Sequence, residues 1–271
     1  MANNRITITL LGSKADSEDV RLPDFIEQLE AVREALRQTE RVLSGSTQQS
    51  LYYKIVDLSH ASPAAVTIEA CRIKAGRIGI APNVVANTFL SSIRTLKVRR
   101  KPPARADLPM LESYKLLGAS PNIQQLTLST TPKKVVAIDG SFSERVEQAI
   151  GPDVFAPGSV SGRLERINLH NTNTFDIYPP VGPVRVHCEF RNEDRELVRQ
   201  ALDRFITVKG RLRYKTWDKH PYAISVSPGK IDIHEKDSDL PDIEELRGIA
   251  PDATGEMASE DFVRVIRDAN W

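Results

Sequence analysis

The chain has 271 residues, 40% hydrophobic and 27% charged, long enough for two domains with separate cores. A balance of 37 Lys and Arg against 36 Asp and Glu leaves a net charge of +1. That excludes a global pull toward nucleic acid or membrane, so a charged partner must be met by a local patch. Two distant cysteines, Cys71 and Cys188, argue against a disulfide framework or a structural zinc site. No run approaches the roughly 20 apolar residues that span a bilayer, and the N-terminus lacks an apolar leader. The expectation is a cytoplasmic protein.

In chain order, RITITLL (5–11) predicts a strand from its β-branched residues. Pro23 suits a first helical turn, and Phe25, Leu29, Val32, Leu36 and Leu43 follow at helical spacing. They predict an amphipathic helix of about 20 residues. LYYKIVDL (51–58) and AVTIEACRI (65–73) predict two strands around a turn. Helices are predicted over 83–98 and 108–120, separated by the proline break RRKPPAR. KKVVAIDG predicts a strand, SFSERVEQAIG a short helix, and PDVFAPGS a boundary near 152–158. Residues 1–152 therefore form a predicted mixed α+β domain.

Beyond the boundary, Val184, Val186, Cys188 and Phe190 share one strand face, and Arg185, His187 and Glu189 the other. NEDRELVRQALDRF predicts a helix burying Leu197, Val198, Ala201, Leu202 and Phe205. FITVKGRLRY alternates, with Ile206, Val208, Leu212 and Tyr214 inside, and YAISVSPGKIDIH supplies a last strand pair. Leu164 and Ile167 are apolar but of opposite parity, which demands a bulge or bend just after Gly162. Leu164, Val186, Cys188, Phe190, Val208 and Leu212 are expected in one core.

Three strands, a helix and two strands, carried by SVSGRLERI, RVHCEF, EDRELVRQALDRF and ITVKGRLRY, resemble an oligonucleotide/oligosaccharide-binding (OB) barrel over 158–234. An SH3-like or split barrel is the rival. Residues 235–271 are acidic, with Pro-Asp pairs and short helical segments. LPDIEELRGIAPDATG and SEDFVRVIRD loosely resemble tails of bacterial antitoxin-like proteins. The expected architecture is an α+β N-terminal domain, a small antiparallel OB-like barrel and a helical C-terminal tail.

Catalytic motifs are scarce. His60 lies near Asp57, Ser59 and Ser62, but that spacing suits a turn better than a triad. No HxH, HxxxH, GxxxxGK[ST], GxGxxG or GxSxG pattern occurs, so no catalytic residue, metal site or cofactor is expected. Basic clusters carry more signal. Arg94, Lys97, Arg99, Arg100 and Lys101 gather at a helix end, where the macrodipole alone also favours cations. Arg185, Lys209, Arg211 and Arg213, with Trp217 nearby, decorate the expected barrel as candidate contacts to nucleic acid or an acidic partner. Phe262, Ile266 and Trp271 are candidate docking anchors of the tail. These features point to a non-catalytic interaction or regulatory protein, antitoxin-like or an adaptor, with a protein partner. A single-stranded nucleic-acid-binding protein is the alternative, an enzyme with an interdomain site the third. Homo-oligomerisation stays open.

Overall fold

The computed structural model describes residues 4–59, 62–73, 79–131, 134–170, 172–182, 185–235, 254–255 and 257–269. The chain is mixed α+β, with six helices and two five-stranded sheets among the described residues. It divides into two units, Met1–Ala156 with Arg213–Tyr222, and Pro157–Leu212 with Ala223–Trp271.

The first unit runs β1 (Arg5–Gly12), α1 (Leu22–Ser44), β2 (Leu51–Ser59), β3 (Ala64–Arg72), α2 (Pro82–Arg99), α3 (Leu108–Lys115), β4 (Ile123–Thr131), β5 (Lys134–Ile138) and α4 (Phe142–Ile150). Its sheet has the order β2-β3-β1-β4-β5, antiparallel throughout. Alternation in β1 buries Ile6, Ile8 and Leu10, while Thr7 and Thr9 on the opposite face stay half-buried. The buried side packs with Val32, Leu36, Phe89, Ile93, Leu111 and Tyr114 of the helices. β4 lies in a stretch where the sequence announced no strand, yet it pairs with both β1 and β5. α3 stops at Lys115, short of the predicted 120, because the chain turns through Gly118 at φ +69°.

Buried polar side chains tie these layers together. Glu40, in the last turns of α1, accepts the backbone N–H of Ser50 at 2.6 Å and of Leu51 at 3.1 Å, and the Ser50 hydroxyl at 2.7 Å. Arg41 Nη2 donates to both carboxylate oxygens of Asp107, at 2.5 and 2.7 Å. The Tyr114 hydroxyl shares a hydrogen bond with Thr39 Oγ1 at 2.7 Å, and its ring meets Phe89 edge-on.

The second unit comprises most of β6 (Asp153–Asn168), then β7 (Thr174–Tyr178), β8 (Val186–Glu189), α5 (Arg195–Gln200), most of β9 (Phe205–Lys215) and β10 (Ala223–Ile233). The five strands follow the closed order β10-β8-β7-β6-β9. β7 pairs antiparallel with β6 and β8, and β8 pairs parallel with β10. Leu164, Val186, Cys188, Phe190, Val208 and Leu212 are all buried, beside Phe175, Ile177 and Ile206. The parity change of the first strand is met by a register shift between Leu164 and Arg166. Gly162 precedes it where a Cβ would lie 2.7 Å from the Tyr178 carbonyl oxygen. The helix is shorter than predicted: α5 covers Arg195–Gln200 and the chain leaves it through Asp203 at φ 62°. Leu202, expected inside, is therefore exposed, and Tyr214 is only half-buried. Val184 lies outside the described residues.

Residues 213–222 pack with the first unit. Lys215 Nζ pairs with Asp153 at 2.7 Å and donates to the Gly151 carbonyl at 3.1 Å. Trp217 Nε1 donates to the Ile150 carbonyl at 2.9 Å. A last helix, α6 (Ser259–Ala269), carries Phe262 half-buried and Val263, Val265 and Ile266 exposed. No helix among the described residues is long and apolar enough to cross a membrane.

Candidate functional site

The most developed polar constellation lies on the outer side of β6, β7 and β8. Alternation sends Phe175 and Ile177 of β7 inward and Asp176 outward, between Arg166 on β6 and His187 on β8 as its cross-strand neighbours. An outward Asp on a strand is ordinarily solvated. Asp176 is only 4% exposed, because its neighbours cover it. Its Oδ1 lies 2.9 Å from His187 Nδ1 and its Oδ2 3.4 Å from Arg185 Nη1. With Arg166, Asn168, Thr174 and Phe175 these residues line a pocket of about 170 Å³.

The chemistry follows from the donors. A carboxylate only accepts, so the imidazole nitrogen facing Asp176 carries its proton. Nε2 is then the remaining polar atom of the ring, an acceptor when the ring is neutral and a donor when it is charged. Arg185 reaches the Asp176 carboxylate, and Arg166, exposed on β6, lines the same pocket. Two cationic side chains around one small pocket suit an incoming phosphate or carboxylate. Cys188, buried in β8 opposite Phe175, supplies no nucleophile. Burial, and secondarily the Asp176 charge, push its thiol well above the ordinary range. Among the described residues no group of three His, Cys, Asp or Glu side chains could hold a metal ion.

The residues singled out in the sequence fall into separate places. Arg185 belongs to this pocket. Lys209 is paired with Asp232 at 3.3 Å, and Arg211 is exposed on the same strand, β9. Arg213 and Trp217 belong to the first unit: the Arg213 guanidinium sits 5.7 Å from the Phe155 ring centroid, and Trp217 packs on the first core. Arg94 and Lys97 of α2 donate to the Val135 and Ala137 carbonyls of β5 at 3.5 and 2.5 Å. Arg99, Arg100 and Lys101 are exposed, and Arg100 caps α2 at φ 49°. Phe262 and Ile266 lie on α6, while Trp271 is outside the described residues, as is His60.

Asp176 and His187 were not among the candidates. Their only local signal is polar outward positions within alternating strands, which every half-buried sheet shares. Arg166 is an exposed basic residue of β6. No protein-family model, curated protein or solved structure matches the chain.

Proposed function

We propose that this chain is a non-catalytic interaction protein whose second unit is an OB-like barrel holding an acidic segment of a protein partner at the Arg166, Arg185 and His187 pocket. The closed order β10-β8-β7-β6-β9, with β8 parallel to β10, supports the OB-like reading. In such barrels the outer side of the second and third strands is the binding face, and here that side is β7 and β8. The observation that carries the reading is the covered Asp176 organising His187 and Arg185 around a small pocket.

The pocket has room for one anionic group rather than a track of phosphates. Glu189 is exposed on β8 beside Thr174, placing a carboxylate on the same face. The described lining also lacks the outward aromatic platform on which single strands stack. The small pocket and the missing platform favour a single carboxylate or phosphorylated side chain over a nucleic-acid backbone. α6, with Val263, Val265 and Ile266 exposed, would supply a second, apolar contact to the same partner.

Fluorescence anisotropy with labelled Glu-rich and phosphoserine peptides tests this directly. Arg166→Glu should weaken binding by roughly tenfold or more with unchanged thermal unfolding, because an attractive contact turns repulsive; Arg185→Glu should weaken it likewise but also lower the unfolding midpoint, since it sets a carboxylate beside the buried Asp176. Peptide binding that ignores both reversals rejects the pocket. Tighter binding of a single-stranded oligonucleotide, steeply weakened by salt, rejects the protein partner in favour of nucleic acid.

A further inference from the structure

The two edges of the first sheet are treated differently. On β5, Arg94 and Lys97 reach down from α2 and occupy the Val135 and Ala137 carbonyls. Charged side chains at an edge are a common protection against pairing with another chain. β2, at the opposite edge, has no strand paired to its outer side among the described residues. It exposes Ile55 at 63% and Leu58 at 61%. A long apolar edge of this kind is a template for strand addition.

From this edge we infer that the first unit pairs with a second copy of the same chain, β2 against β2, antiparallel about a twofold axis between Ile55 and Val56.

The register argument rests on the bulge. Lys54 pairs with Glu69 and Ile55 with Ile68, but Asp57, not Val56, pairs with Thr67. Glu69 and Thr67 share a face, so the bulge places Lys54 and Asp57 on one face of β2 although their parity differs. It also keeps Ile55 and Leu58 together on the other face, opposite Ile68 and Val66. The backbone follows the same phase. Ile73 N–H donates to the Ser50 carbonyl, so alternation turns the amides of Tyr52 and Lys54 toward β3 and those of Leu51 and Tyr53 outward. Beyond the bulge, Asp57 and Ser59 turn toward β3 and Leu58 outward.

An antiparallel copy in the stated register sets Tyr53 opposite Leu58 of the second copy, outward backbone against outward backbone. It sets Lys54 opposite Asp57, twice by symmetry, so opposite charges meet on both sides of the axis. Shifting by one residue would oppose outward to inward backbone groups and separate the charges. Lys54 already lies 3.2 Å from Glu69, so in the dimer its ammonium would sit between two carboxylates. A β-strand seam of this length is small for a permanent complex, so a concentration-dependent dimer is expected.

Sedimentation equilibrium of the full chain, from micromolar to millimolar, should show reversible dimers. Asp57→Lys should weaken the dimer about tenfold, because two attractive pairs become repulsive. Lys54→Asp with Asp57→Lys should restore it. In a Cys71→Ser background, Lys54→Cys with Asp57→Cys should form an intermolecular disulfide on mild oxidation, whereas Tyr53→Cys alone should not. Thermal unfolding of each variant checks that it is folded. A monomer at all concentrations overturns the inference, as does a dimer that ignores Asp57→Lys and yields no cross-link. Failure here leaves the pocket on β7 and β8 untouched, since the peptide titration reads only that pocket.

Discussion

His187 and Asp176 face each other across β8 and β7, with Nδ1 2.9 Å from Oδ1, and the carboxylate is nine-tenths buried beneath its cationic neighbours. Asp176→Ala removes the acceptor that Arg185 and His187 share on this face. The loss should be on the order of 1–3 kcal/mol, the range for hydrogen bonds to charged groups. Chemical denaturation of the wild type and the variant, at equal ionic strength, measures it. A change within a few tenths of a kcal/mol would mean that Asp176 does not organise the pocket.

Glu40 is 2% exposed and accepts three hydrogen bonds at the entry to β2. Glu40→Ala leaves two backbone donors and one hydroxyl without an acceptor. A cost of about 2 kcal/mol is expected, with earlier hydrogen exchange at the amides of Ser50 and Leu51 than elsewhere in the sheet. Uniform loss of protection across the first unit would contradict a local clamp.

Gly210 lies where β9 passes β10, and a Cβ there would meet the Ser225 carbonyl oxygen at 2.2 Å. Backbone on both sides cannot yield as a side chain can. Gly210→Ala should destabilise the second unit by about 1–3 kcal/mol, as overpacking does. In a Trp271→Phe, Cys71→Ser background, urea unfolding followed by Trp217 fluorescence, a probe in the first unit, should move less than unfolding followed by Cys188 accessibility.

Alkaline pH should weaken the fold. Burial raises the Cys188 thiol from its ordinary 9.0, and burial likewise raises the Tyr114 phenol from 10.0. Burial first, then Asp153, pushes Tyr222 up to about 12. A group raised in the folded state contributes stability that is complete below its unfolded value and lost as pH rises past it. Each fully buried group then costs about 1.4 kcal/mol per pH unit. Urea midpoints should hold near neutrality and fall steadily from about pH 9, as the unfolded chain ionises first. Flat midpoints up to pH 11 would contradict neutral, buried Cys188 and Tyr114.

Local pattern determined much of the molecule. Apolar spacing at Val32 and Leu36 placed α1, and alternation at Ile206, Val208 and Leu212 placed β9, because burial follows the 3.6 and 2.0 periods of helix and strand. The parity conflict between Leu164 and Ile167 demanded the irregularity now seen between Leu164 and Arg166. The pocket was beyond that kind of reading. Arg166, Asp176 and His187 are ordinary outward residues until pairing of β6, β7 and β8 sets them side by side, and only then does a surface Asp become a covered one. The end of β9 and the loop after it teach the same lesson. Lys215 and Trp217 look like solvent-facing cation and aromatic, yet their partners Asp153, Gly151 and Ile150 lie more than 60 residues back. Periodicity reports which face of an element is apolar. Which distant groups meet there is decided by strand pairing and chain return, and these are set by contacts too far apart in sequence to leave a local mark.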